Sequence, residues 1–226
     1  MGLLQKIKDE TITSGIDSEF LDPNNYWIPL TYRSRVVVFS KERVDVNDLS
    51  TYEDLANEKW KNRLLIRSSS NSYNQALMSS LIANLGSDVA EDWSTKIVSN
   101  LAREPKGNDR DQVKAIASGQ GDIAIGVFFP NQAENQRGAH INVSGIALTK
   151  NAPNRENAIK LISFLTSKSA QQTYVNNTYE YSVNSSVEPN EIVKNWGEFK
   201  KDKLDLNMLG VKRNEAIRIF DKTGWK

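Results

Sequence analysis

The chain has 226 residues, 38% hydrophobic and 25% charged, which is apolar material for one large domain or two small lobes and excludes wholesale disorder. The 29 lysines and arginines against 28 acidic residues leave a net charge of +1, too little for the long-range field of a general nucleic-acid binder. No cysteine and a single histidine, His140, exclude disulfides, thiolate zinc sites, iron–sulfur clusters, a Cys nucleophile and His-rich metal cages.

No run of about 18 apolar residues occurs, so no membrane-spanning helix and no membrane insertion is expected. The start, MGLLQKIKDETITSG, lacks the apolar core of a secretion signal. Either the protein stays inside the cell or its signal lies outside this sequence.

The first thirty residues read as polar and irregular, punctuated by Pro23 and Pro29. Residues 35–39 (RVVVF) read as a strand, continuous in β-branched residues and so central in a sheet. Ser50-Thr51-Tyr52-Glu53 reads as a capping box opening a short helix through Ala56. A short strand at 64–66 runs into the polar turn 68–75, SSSNSYNQ.

A helix then carries Leu77, Met78, Leu81, Ile82 and Leu85 on one stripe and stops at Gly86. The next spaces Val89, Trp93, Ile97 and Leu101 four apart. Asp109 reads as the cap of a helix over 110–118, with Gln112 at the box position and Gly119 as stop, and 122–126 (DIAIG) as a buried strand. A polar stretch at 131–138 leads to a long strand at 141–148, a helix capped by Asn154, a helix near 170–176 and a last helix at 214–223. Strands alternating with helices at this spacing predict an α/β fold with a largely parallel sheet.

The turn at 68–75 is the most informative segment. A Ser/Asn-rich loop between a strand end and a helix start offers free backbone N–H groups and the positive end of a helix dipole to an anion. Tyr73 sits inside it. The plain alternative is that Ser70 or Asn71 only caps the helix and Tyr73 packs at the surface. His140, beside a strand, reads as structural. Tyr179 and Tyr181 would face the same way in an extended segment, which suits either a metal or aromatic packing on a helix. The five tryptophans fit core roles, and a solvated helix start accounts for Asp109 and Asp111. No Walker loop, GxSxG elbow, kinase set or GxGxxG is present, so an enzyme is the least supported class.

Several segments occur in an order that resembles a known family: GLLQ (2–5), TYRSRVVVFSKE (31–42), STYEDLANEKWKNRLLIRSSSNSYNQALMSSLIANLG (50–86), NLAREPKGNDRDQVKAIASGQGDIAIG (100–126), HINVSGIALTKNAPNRENAIKLISFLTS (140–167) and YEYSVN (179–184). Together they are similar to ferric-iron-binding periplasmic proteins, the substrate-binding subunits of bacterial iron ABC transporters. The resemblance implies a type II periplasmic-binding-protein fold, with two α/β lobes joined by hinge strands. It implies a first-lobe remnant and hinge strand at 1–40, a second lobe at 41–130, a first-lobe and hinge segment at 131–185, and C-terminal helices at 186–226 returning to the second lobe.

Residue by residue, Tyr73 in NSYNQ matches a phenolate ligand of the family. Arg35 and Arg33 match arginines that offset charge beside the ion, and Ser70, Asn71 and Asn74 match the anion-orienting turn. The cargo implied is Fe3+, with carbonate or another synergistic anion. The partner implied is an inner-membrane ABC permease, and the location periplasmic. Fe3+ is a hard cation and phenolate a hard oxygen donor, so the pairing is chemically sound.

The sequence also departs from the family. It starts near GLLQ, without the family's N-terminal portion and the first-lobe ligand. After Gly126 it passes to Val127-Phe128-Phe129-Pro130-Asn131-Gln132, where the family has an Asn-x-Tyr-Tyr motif supplying two further phenolates. At 179–183 it reads YEYSV, where the family often has proline after the second tyrosine. Fe3+ takes about six oxygen-type donors, so one phenolate predicts a depleted site that holds iron weakly or not at all. Two other functions compete with weak iron binding, a small-anion module and an interaction-only fragment.

Overall fold

The structure, a computed structural model, describes residues 2–226, and every side chain within them except those of 125–127. The chain divides into two compact units. Unit 1 is Met1–Arg33 with Ile141–Glu198, and unit 2 is Ser34–His140 with Phe199–Lys226. The chain therefore passes between units after residues 33, 140 and 198. The sequence places the corresponding boundaries at 40, 130 and 185.

Unit 1 holds β1 (Leu4–Gln5), α1 (Glu10–Thr13), β2 (Trp27–Ser34, whose last residue falls in unit 2), β5 (Ile141–Thr149), α5 (Arg155–Thr166), α6 (Lys168–Thr178), β6 (Tyr181–Ser182) and α7 (Glu191–Lys194). Its sheet has the order β1-β5-β2-β6, antiparallel between β1 and β5 and between β2 and β6. Ile7, Phe20, Ile28, Ile162, Val175 and Val193 are buried among its apolar residues. The Tyr32 ring stacks on both Phe20 and Tyr181, with centroids 4.8 Å and 5.1 Å away.

Unit 2 holds β3 (Val37–Phe39), α2 (Ser72–Leu85), α3 (Ser87–Ser99), α4 (Asp109–Ala117), β4 (Ile123–Phe128) and α8 (Asn207–Thr223). β3 and β4 pair antiparallel. Helices α2, α3 and α8 pack their apolar stripes into one core with Tyr52, Trp60 and Trp225. In α2 the expected stripe is the buried one, at Leu77, Met78, Leu81 and Ile82, and Gly86 ends the helix at φ 88°, a value a side chain rarely tolerates.

Several expectations are corrected. Residues 27–34 (WIPLTYRS) form an eight-residue strand, not irregular chain. Pro29 lies within it, so the proline breaks the local pattern without ending the strand. The sheet pairings that define β1, β3, β4 and β6 are antiparallel, and parallel pairing appears in isolated bridges, of Leu64 with Leu101 and Ile123 and of Ala139 with Lys201. Residues 64–66 thus contribute a single bridging position instead of a strand.

Both capping boxes sit one residue away from their expected places. Thr51 and Asp54 exchange side-chain and backbone hydrogen bonds at 3.0 Å, and so do Asn108 and Asp111 at 3.1 and 2.8 Å. On α3, Val89 is exposed and Ala90 takes the core position. On α5, Leu161 is exposed while Ile162 is buried. Helix α8 begins seven residues earlier than periodicity suggested.

Asp122, just ahead of β4, accepts from Arg43 Nε at 2.6 Å and from Arg63 Nε at 2.7 Å. Burial pushes its pKa up, and the two guanidiniums more than offset this, leaving it below the ordinary carboxylate value of 3.8. A depressed folded pKa stabilises above the unfolded value, and the contribution is lost as pH falls through the folded value. Asp122→Asn is therefore expected to cost about 1 kcal/mol at pH 7, with the difference from the parent shrinking below about pH 4. Urea unfolding across that pH range measures it.

Candidate functional site

The turn at 68–75 lies in unit 2 and enters α2. Asn71 caps the helix, its Oδ1 accepting from the Tyr73 N–H at 3.1 Å. Ser70 is exposed and bonds only within the turn, its N–H reaching Ser68 Oγ at 3.2 Å. This matches the plain capping reading for Asn71, and it places Tyr73 at the second helical position, half-buried.

Asn74 is buried and ties the turn together. Its Nδ2 donates to the carbonyls of Arg67 (2.9 Å) and Ser68 (3.1 Å), and its Oδ1 accepts from Arg35 Nη2 at 2.8 Å. Arg35 is 5% exposed, just before β3. Its Nη1 lies 3.4 Å from Asp109 Oδ1, while Arg67 Nη1 donates to Asp109 Oδ2 at 2.7 Å. One carboxylate thus joins two arginines. Burial lowers the Arg35 pKa, Asp109 and then Tyr52 oppose this, and Arg67 adds to the lowering.

Both guanidiniums lie beside the Tyr73 ring, each carbon 5.8 Å from its centroid. The site is therefore one phenol beside two fixed cations at the start of a fourteen-residue helix. Arg35 Nε and Arg67 Nε are buried donors without a hydrogen-bond acceptor among the described residues. Buried donors of this kind suit an oxyanion. No cluster of three or more His, Asp or Glu able to hold a metal occurs among the described residues.

Of the sequence candidates, the structure brings together Tyr73, Arg35, Asn71 and Asn74. Arg33 belongs to unit 1, where it pairs with Glu180 at 2.9 Å and donates to Ser144 Oγ at 2.8 Å. Tyr179 and Tyr181 do not form a pair of ligands. Tyr179 ends α6 in a left-handed conformation (φ 58°) and is exposed, whereas Tyr181 is half-buried in β6 against Tyr32. Burial raises the pKa of Tyr181 and, more strongly, of Tyr32. His140 is buried, and its backbone bonds to Arg35 and Tyr52. The expected junction between Gly126 and Val127 lies outside the residues whose side chains are described.

Sequence reading missed Arg67 and Asp109. A signal was present: Asn108 and Asp111 complete the capping box, so Asp109 is a spare acid in the first turn. Arg67 was unremarkable in sequence. Its position is fixed from the far end of the chain, where the Trp225 indole N–H donates to its carbonyl at 3.1 Å.

Two α/β units exchanged three times by the chain, with a polar helix start carrying the candidate residues, define a solute-binding protein of the type II periplasmic class. The chain belongs to the family of bacterial extracellular solute-binding proteins, whose model matches residues 1–198. It is 40% identical to "Iron uptake protein A1" of Synechocystis sp. over 249 residues, all of this chain and 69% of that protein. Among solved structures it is similar to apo FutA2 from Synechocystis (TM-score 0.95, 35% identity, all of this chain and 79% of that one). It is also similar to FutA (IdiA) of Trichodesmium in complex with iron and citrate ligands (TM-score 0.94, 40% identity, all of this chain and 78% of that one). The Synechocystis relative spends 249 residues where this chain has 226, so at least 23 of its positions have no counterpart inside the matched stretch.

Asn74 carries three hydrogen bonds with one buried amide. Asn74→Ala leaves two carbonyls and a buried guanidinium short of partners. It is expected to lower unfolding free energy by about 2 to 3 kcal/mol, read from denaturant midpoints at constant m-value.

Proposed function

We propose that this chain is a ferric-iron-binding solute-binding protein of an ABC transporter, with a depleted metal site. The observation that carries the reading is that the guanidinium carbons of Arg35 and Arg67 each lie 5.8 Å from the Tyr73 ring centroid. A phenol loses its proton on binding Fe3+, and two fixed cations favour the resulting oxygen anion. The names and titles of the relatives, an iron uptake protein and a protein complexed with iron and citrate, support the same cargo.

Tyr73 supplies one hard donor where Fe3+ takes about six. The remaining donors would arrive with the ion, as carboxylate or carbonate oxygens. The free Nε donors of Arg35 and Arg67 and the α2 start favour such an anion. Those same donors favour the second reading, a small-anion module that needs no metal. Binding and delivery, rather than catalysis, fit the absence of any nucleophile or acid–base pair in the sequence motifs. A periplasmic location and docking to an inner-membrane permease follow from the same family reading.

The test is titration with ferric citrate, followed by phenolate-to-iron charge-transfer absorbance. The band is expected to appear, Tyr73→Phe to abolish it, and affinity to fall at least about tenfold. Iron is expected to wash out in excess citrate, and tight retention would overturn the depleted site. Equal affinity for citrate or phosphate without iron would establish the small-anion reading instead.

A further inference from the structure

Arg35 and His140 lie close to two of the points where the chain changes unit, and both belong to unit 2. The Arg35 N–H donates to the His140 carbonyl at 2.8 Å. In a regular antiparallel pair the return bond would run from the His140 N–H to the Arg35 carbonyl. Here a side chain interrupts it. The His140 N–H donates to the Tyr52 hydroxyl oxygen at 3.1 Å, and that hydroxyl donates to the Arg35 carbonyl.

A phenol can both accept and donate, so one oxygen completes the rung while keeping the two backbones further apart than a direct bond would. Tyr52 itself is held firmly. It is 3% exposed, its N–H donates to Asn131 Oδ1 at 3.2 Å, and its carbonyl accepts from the Trp93 indole at 2.8 Å. Arg137 lies 6.0 Å from its ring centroid. Burial raises its pKa strongly, which keeps the proton that the donated bond requires.

We propose that Tyr52 is the positioning residue for Arg35: its hydroxyl, inserted between the backbones of residues 35 and 140, sets where the guanidinium meets Asn74 and Asp109 beside Tyr73. The consequence for binding rests on the iron-site reading above. The geometric part does not. Without the hydroxyl, the His140 N–H and Arg35 carbonyl regain each other as direct partners by closing together. A shift of about 1 Å at Arg35 is enough to break its 2.8 Å bond to Asn74.

The test is Tyr52→Phe in the full chain, which keeps the ring and removes one oxygen. Nitrogen–proton NMR spectra are expected to show shifts at Arg35 Nε and the Asn74 side-chain amide, with the Trp60 indole unmoved. Shifts confined to the backbone amides of 35 and 140 would overturn the proposal. Ferric citrate affinity is expected to fall about tenfold, and Tyr52→Phe combined with Arg35→Ala to bind no more weakly than Arg35→Ala alone. Losses that multiply would show that Tyr52 acts otherwise than through Arg35, and an unchanged affinity would also overturn the proposal. If Tyr73→Phe retains the iron band, the iron-site reading fails, and the NMR comparison alone decides the role of Tyr52. Should Tyr52→Phe not fold, amide exchange in the parent decides: the His140 amide is expected among the slowest, and fast exchange would overturn the proposal.

Discussion

A guanidinium with 5% of its surface exposed cannot be left to water, and much of the arrangement around Arg35 follows from that constraint. Its charge is met by Asp109 and its shape by the Asn74 carbonyl oxygen, which come from the starts of two different helices. Asn74 can accept from Arg35 only if its amide faces the preceding turn, and there it donates to the carbonyls of Arg67 and Ser68. Asp109, in turn, draws in Arg67. Burying one cation thus organises a strand entry, a turn and two helix starts, and leaves Tyr73 beside two positive charges.

This arrangement separates stability from binding in a way the individual residues do not reveal. Asn71 and Asn74 look like ligand-orienting side chains, yet each is committed to backbone hydrogen bonds. On the reading proposed above, a solute would meet the Tyr73 side chain and the helix start, with the buried Nε donors of Arg35 and Arg67 behind them. That set suits an anion or an anion-carrying metal better than a bare ion. On that reading, a bare trivalent ion would meet two fixed positive charges beside the Tyr73 ring.

Family membership does not by itself fix a donor set. The whole chain superposes on the two solved relatives at TM-scores of 0.94 and 0.95, although the aligned Synechocystis protein has at least 23 internal positions with no counterpart here. A fold of packed helices tolerates the loss of a segment because its core is a sum of many contacts. A coordination sphere is not such a sum, since each donor occupies one place around the ion.

The sequence by itself determined the α2 stripe, the Gly86 stop, a long strand from residue 141, the absence of thiol chemistry and, through collinear motifs, the family. These are legible because they depend on neighbours three or four residues away, or on composition. Strand β2 was hidden by Pro29 and by a sheet whose partners lie far along the chain. The roles of Arg67, Asp109 and Tyr52 were hidden for the same reason, since Asp109 meets Arg67 across 42 positions and the Tyr52 hydroxyl meets His140 across 88. Arg33 and Arg35, two residues apart, were read as one group, but a chain that changes unit after residue 33 gives them different partners. Local periodicity carries information about which face of an element is buried. Which charge lies against which, and which backbone gap a hydroxyl fills, is decided only when distant segments pack, because burial sets the cost of an unmet polar group.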